Sequence, residues 1–129
     1  MLATAQMRLL GIAVFFIFIF LSGFWLTHSG QPYNTIVFNI HKFAILAAVV
    51  FFAVIVYRTH QQAPLTGTQI TTIVITFLFL VAASITGGLV TLDREMPIFV
   101  ARLHLVLPIL TVLSSIATLF LLVKLPAIT

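Results

Sequence analysis

Four long apolar stretches divide the chain, separated by short segments that hold most of its polar residues. They run roughly over residues 9–27, 40–57, 70–90 and 99–123. Each is close to the ~20 residues a helix needs to cross ~30 Å of hydrocarbon. No polyproline tract, low-complexity linker or soluble segment interrupts them. The pattern predicts an all-α protein, a four-helix up-down membrane bundle forming a single integral membrane domain over residues 1–129. Arg8 precedes the first stretch as it would in a signal peptide. That stretch is nevertheless longer than a signal h-region, and "FLSGFWLTHSG" offers only a weak cleavage pattern, so it reads as a retained span.

The pattern also repeats. "SGFWLT" (22–27) and "TGGLVT" (86–91) each close an odd-numbered span, and each is followed by a loop containing a proline, Pro32 or Pro97. "FNIHKF" and "ARLHLV" then open the even-numbered spans. Gly23 and Gly87 are 64 residues apart, and His41 and His104 are 63 apart. Two duplicated helical hairpins account for this spacing.

Composition narrows the function classes. Of 129 residues, 62% are hydrophobic and 6% charged, against about a quarter charged in a soluble domain. The net charge of +4 rests on six basic and two acidic residues, too sparse for a nucleic-acid footprint. These charges read as membrane-edge anchors and counter-ions. The absence of Cys excludes thiolate zinc sites, iron–sulfur clusters, covalent c-type haem and disulfides. Four spans put both termini and the loop "RTHQQAPLTG" on one side with Arg8, Arg58 and Lys124. Lys42, Arg94 and Arg102 fall on the other side, so the positive-inside rule is evenly split. The N-terminal amine, with Asp93 and Glu95 opposite, tips the termini towards the cytoplasm of a prokaryotic cell membrane.

Why does a chain this apolar place "HK" at 41–42, where a hydrophobic run begins? His41 and His104 both open spans that run in the same direction. His41 lies 17 residues before Arg58, and His104 lies 20 before Lys124, which corresponds to roughly 26 and 30 Å of helix. The depths match within ordinary tilt. In an up-down bundle, spans two and four lie on a diagonal about 11–14 Å long, wide enough for a metal ion between two imidazoles. One non-covalent haem b with His41 and His104 as axial ligands fits this description.

Around that diagonal, the His104 face continues through Pro108, Thr111, Ser115 and Thr118, and the His41 face through Ala44, Ala48 and Phe52. Gly23, Gly87 and Gly88 would let a flat macrocycle approach the flanking helices, while "VFFIFIF" in span one would meet lipid. Lys42, Arg94 and Arg102 are placed to pair with haem propionates, whose burial unpaired is costly. His60 belongs to the opposite membrane face, and His28 closes span one as a neighbour of the site or an interfacial group.

Plainer roles compete with these. Interfacial histidines need no cofactor, basic residues snorkel to water, and small residues serve close helix packing. Asp93–Arg94–Glu95 reads as a solvated turn. No nucleophile–base pair, phosphate loop or nucleotide fingerprint is present, and no span carries an ionisable residue at its middle, which disfavours a transporter.

The span pattern, with His41 and His104, resembles the small membrane b-type cytochromes: the cytochrome b561 group and the haem-bearing membrane anchors of respiratory dehydrogenases. The b561 pattern has a histidine pair near each membrane face, whereas here only one face has a pair. The resemblance implies single-electron exchange with a quinone or a redox partner subunit on one face. Bis-histidine ligation leaves no open iron position, so the chemistry would be outer-sphere transfer. The alternative is a cofactor-free structural or assembly subunit of a larger membrane complex, in homo- or hetero-oligomeric form. A third reading has His28, His41 and His104 ligating zinc or a chlorophyll-type magnesium.

Overall fold

The computed structural model describes residues 2–92 and 95–123, with side chains from Gln6 onward. They form four α-helices: α1 (Leu2–Ser29), α2 (Thr35–Gln62), α3 (Gly67–Val90) and α4 (Ile98–Val123). All four are long and apolar enough to span a bilayer, α1 over Gln6–Ser29 and the others over their full lengths. The protein is an all-α, multi-pass integral membrane protein. Helix is the expected answer to hydrocarbon, because it pairs each backbone polar group within its own segment.

The helices outrun the apolar stretches that predict them. Helix α2 begins at Thr35 rather than near Ile40, because Asn34 caps it: its Oδ1 accepts from Ile36 N–H (3.0 Å) and Val37 N–H (3.2 Å). Satisfying these otherwise orphaned amides lets the helix start in polar sequence. His41 therefore sits nearly two turns inside α2, not at its mouth. His104 holds the same place in α4, since each is the seventh residue of its helix. Helix α1 closes on Gly30, whose φ of 69° is the left-handed conformation suited to a residue without Cβ.

The chain divides into two compact units between Pro64 and Leu65. Each is an antiparallel helical hairpin, α1 with α2 and α3 with α4. In the first, apolar contacts add to a polar tie between Ser22 and His41. Phe15 and Phe51 pack with ring centroids 5.6 Å apart, and the Phe51 ring fills the space over Gly11, where an added Cβ would lie 3.2 Å from it. In the second, polar ties cross at three levels. Gln69 Nε2 donates to Leu121 O (3.0 Å), Thr76 and Thr118 share a hydroxyl hydrogen bond (3.0 Å), and His104 joins α4 to the end of α3.

Gln69 serves two helix ends at once. It completes a capping box, with Thr66 N–H donating to Gln69 Oε1 (2.8 Å) and Gln69 N–H to Thr66 Oγ1 (3.3 Å). Its amide nitrogen then reaches the Leu121 carbonyl of α4.

The duplication extends through the core. The buried residues of α2 are Ala44, Ala48, Ile55 and Thr59, and 63 residues on stand Leu107, Thr111, Thr118 and Leu122, all buried in α4. Ile12 and Thr76, 64 apart, are both buried as well. The same positions carry Ile12 and Ile55 in one hairpin and the Thr76–Thr118 pair in the other. Thr111, Ser115 and Thr118 are buried within their own hairpin, Thr118 against Thr76 of α3 rather than on a diagonal to α2. Val14, Ile17 and Phe18 face outward as the sequence suggests, while Phe15 packs on Phe51 instead.

Replacing Gln69 by Leu removes a cap and an interhelical bond together, and is expected to cost about 1–3 kcal/mol. Thr76→Val is expected to cost about 0.6 kcal/mol, the usual worth of one interhelical hydrogen bond in a membrane. Unfolding titrations in mixed micelles measure both, and the reverse order would show that the Gln69 ties are immaterial.

Candidate functional site

Each hairpin builds one copy of the same small site from three residues: a hydroxyl, the glycine that follows it, and the histidine of the facing helix. In the first hairpin, Ser22 Oγ lies 2.8 Å from His41 Nδ1. The ring seats against Gly23, where a Cβ would come within 3.0 Å of His41 Cε1. In the second, Thr86 Oγ1 lies 3.3 Å from His104 Nδ1, and a Cβ on Gly87 would come within 2.7 Å of His104 Cε1. Both imidazoles are half-buried, each with one edge in a notch that glycine leaves in the neighbouring helix.

Both hydroxyls also reach backbone carbonyls of their own helix. Ser22 has one hydroxyl hydrogen, and its Oγ donates to Ile19 O (3.0 Å). The Ser22 hydroxyl thus lies within hydrogen-bond distance of both a carbonyl of its own helix and the His41 ring. In the second hairpin, Thr86 Oγ1 donates back to Ala82 O (2.9 Å) and Ala83 O (3.0 Å). His104 Nδ1 also lies 3.2 Å from Ala83 O, a carbonyl that can only accept. In the neutral form His104 is therefore an Nδ1–H tautomer, with the electron pair on Nε2. One asymmetry separates the two sites. Pro108 of α4 has no N–H to offer the His104 carbonyl four residues back, whereas Ile45 stands at the corresponding position of α2.

The remaining predicted site residues are placed differently. Gly23 and Gly87 receive the imidazoles of their own hairpins, so the space at those glycines is taken by a ring edge. Gly88 faces outward, with nothing within 4 Å of where its Cβ would be. Lys42 extends its ammonium over the Phe38 ring, 4.1 Å from the centroid, and Phe38 in turn stacks on Tyr33. Arg102 is exposed in the first turns of α4, and Arg94 lies outside the described residues. His28 is exposed and stacks on Phe24, and His60 is exposed near the end of α2. Among the described residues, no group of three or more His, Cys, Asp and Glu side chains is placed to hold a metal ion, so the three-histidine reading gains no support.

Ser22 and Thr86 are the residues that sequence reasoning passed over. They stand in plain view in "SGFWLT" and "TGGLVT", each immediately before the glycine. Their matched spacing of 64 residues was the available signal.

Comparison with known proteins gives no match: no family model fits the sequence, and no curated protein or solved structure is significantly similar to it. Four membrane-length helices are common to many small membrane protein families, and they do not single out the cytochrome b561 group.

The notches make an ordered prediction. Gly87→Ala must displace a rigid ring held at Nδ1, and overpacking of this kind typically costs about 1–3 kcal/mol, more than the ~1 kcal/mol that alanine gains in helix propensity. Gly23→Ala, with more space, is expected to be milder, and Gly88→Ala neutral or stabilising. The same micelle unfolding assay ranks the three. Equal effects at residues 87 and 88 would mean that the ring does not occupy the notch.

Proposed function

We propose that the chain is a membrane-embedded subunit that packs against other subunits of a larger assembly and carries no cofactor of its own. The observation that supports this is the division of its side chains. Polar groups close on one another within each hairpin, while bulky apolar ones such as Phe24, Trp25, Phe43 and Phe99 turn outward. The helix connections span only residues 30–34, 63–66 and 91–97, so nearly all the surface a partner could meet lies in the membrane. Close helix packing and interhelical hydrogen bonds drive association there.

Extraction from native membranes in a mild detergent is expected to give a colourless particle of fixed stoichiometry. Its protein mass, measured by light scattering, should exceed the 14.2 kDa of one chain. A monodisperse monomer would overturn the proposal.

One observation favours a second reading, a b-type cytochrome with His41 and His104 as the axial ligands of one haem. His104 Nδ1 is engaged by the Ala83 carbonyl, which leaves Nε2 as the ligating atom, as an axial imidazole requires. The donor chemistry fits. Lys42, Arg94 and Arg102 would pair with the propionates, and a quinone or redox partner subunit would exchange electrons. A bis-histidine haem supplies one-electron redox chemistry without an open iron position. An oxidised-minus-reduced absorption spectrum of the protein expressed with ample haem tests this. Resolved α and β bands, lost in both His41→Ala and His104→Ala, support the cytochrome, and a folded, colourless protein sinks it.

A further inference from the structure

We infer that α4 is jointed at Pro108, and that the bond from His104 to α3 is the clasp that holds the joint closed. Residues 98–107 form an arm that swings on a helix fixed to α3 from Thr111 onward. The inference concerns the second hairpin alone and holds under either functional reading.

Burial divides α4 at the proline. Its buried residues are Leu107, Thr111, Ser115, Thr118, Leu119 and Leu122, and only Leu107 precedes Pro108. The polar ties to α3 divide in the same way. Thr118 bonds Thr76, and the Leu121 carbonyl accepts from Gln69, both beyond the proline. The arm is tied to α3 through His104, whose Nδ1 lies 3.2 Å from Ala83 O and 3.3 Å from Thr86 Oγ1.

The helix is weakened where these parts meet. Pro108 has no N–H for the His104 carbonyl, and a proline ring inside a helix crowds that same carbonyl. Three residues on, Thr111 Oγ1 donates to the Leu107 carbonyl (2.8 Å), and a hydroxyl bonded four residues back often bends a helix. The disturbance therefore falls on the very residue whose ring makes the clasp. On the facing helix, the consecutive glycines Gly87 and Gly88 lie at the same level, and glycine is the poorest helix former after proline.

The first hairpin is the internal comparison. It keeps the histidine and its glycine seat, as His41 and Gly23, and it buries α2 at the matching positions. Ile45, Ala48 and Phe24 stand where the second hairpin has Pro108, Thr111 and Gly88. Its ring-to-hydroxyl contact is also shorter, 2.8 Å at Ser22 against 3.3 Å at Thr86. Both hairpins have the clasp, and only the second has the joint. Its arm carries Phe99 and Arg102, both exposed, so a swing moves an apolar and a charged contact together.

The test is ¹⁵N relaxation dispersion of the full chain in lipid nanodiscs, which reads exchange on the μs–ms timescale of hinge motions. Amides of residues 98–107 should exchange together with that of Gly87, on which the ring sits. Residues 35–44 of α2 and 111–123 of α4 should stay flat. Pro108→Ile, which installs the residue of the first hairpin, should abolish the exchange and leave the resting Gly87 shift in place. Thr86→Val should raise the population of the open state about threefold, the equivalent of one interhelical hydrogen bond of ~0.6 kcal/mol.

A flat arm in the wild type, or equal exchange in both hairpins, would overturn the inference, and both are read on the native chain. Exchange that persists in Pro108→Ile would overturn it likewise. Arm exchange without a response at Gly87, or an open population indifferent to Thr86→Val, would leave a joint without its clasp and overturn that part.

Discussion

An imidazole inside a hydrocarbon-spanning helix has to find its hydrogen-bond partners in the protein, since lipid offers none and an unpaired polar group costs several kcal/mol. In this chain the demand is met one helix away, by a serine or threonine and the glycine after it. The hydroxyl hydrogen-bonds a ring nitrogen, and the missing Cβ lets the two helices approach until the ring fits between them. Register follows, because only one alignment of the antiparallel helices brings Ser22 opposite His41, or Thr86 opposite His104.

From that shared anchor the hairpins hold themselves together by different means. The first relies on shape, with Phe51 against Gly11 and Phe15 and isoleucine at its duplicated core positions. The second places threonines at those positions and adds Gln69 where the start of α3 meets the end of α4. Interhelical hydrogen bonds in membranes are individually modest, and apolar packing without water present is no stronger, so two unlike sets of contacts can support one backbone arrangement. Duplicated halves can diverge in this way as long as the polar anchor is kept.

The two functional readings differ in what they ask of Nε2. For a purely structural subunit, the Nδ1 contact already does what the histidine is there for. For a cytochrome, the Nδ1 bond is preparation, and Nε2 is the working atom. The asymmetry at Pro108, which withholds a helical hydrogen bond from the His104 carbonyl, leaves α4 more freedom to bend at its histidine than α2 has.

Much of this was legible in the residues themselves. Runs of about twenty apolar residues with so few charges leave no fold but membrane helices, because only a helix or a closed barrel satisfies the backbone in lipid. The 63- and 64-residue spacings disclosed two like hairpins, since a constant offset between two helices puts their matching residues at the same register. The helix ends were not legible, because Asn34 and Thr66 extend α2 and α3 into polar sequence through side-chain caps that hydropathy does not register. Nor was the use of Gly23 and Gly87. A glycine in a membrane helix states only that something comes close, and tertiary structure alone decides that the neighbour is the imidazole of the facing helix. The proton on His104 Nδ1 was decided there too, because that nitrogen faces the Ala83 carbonyl, which can only accept.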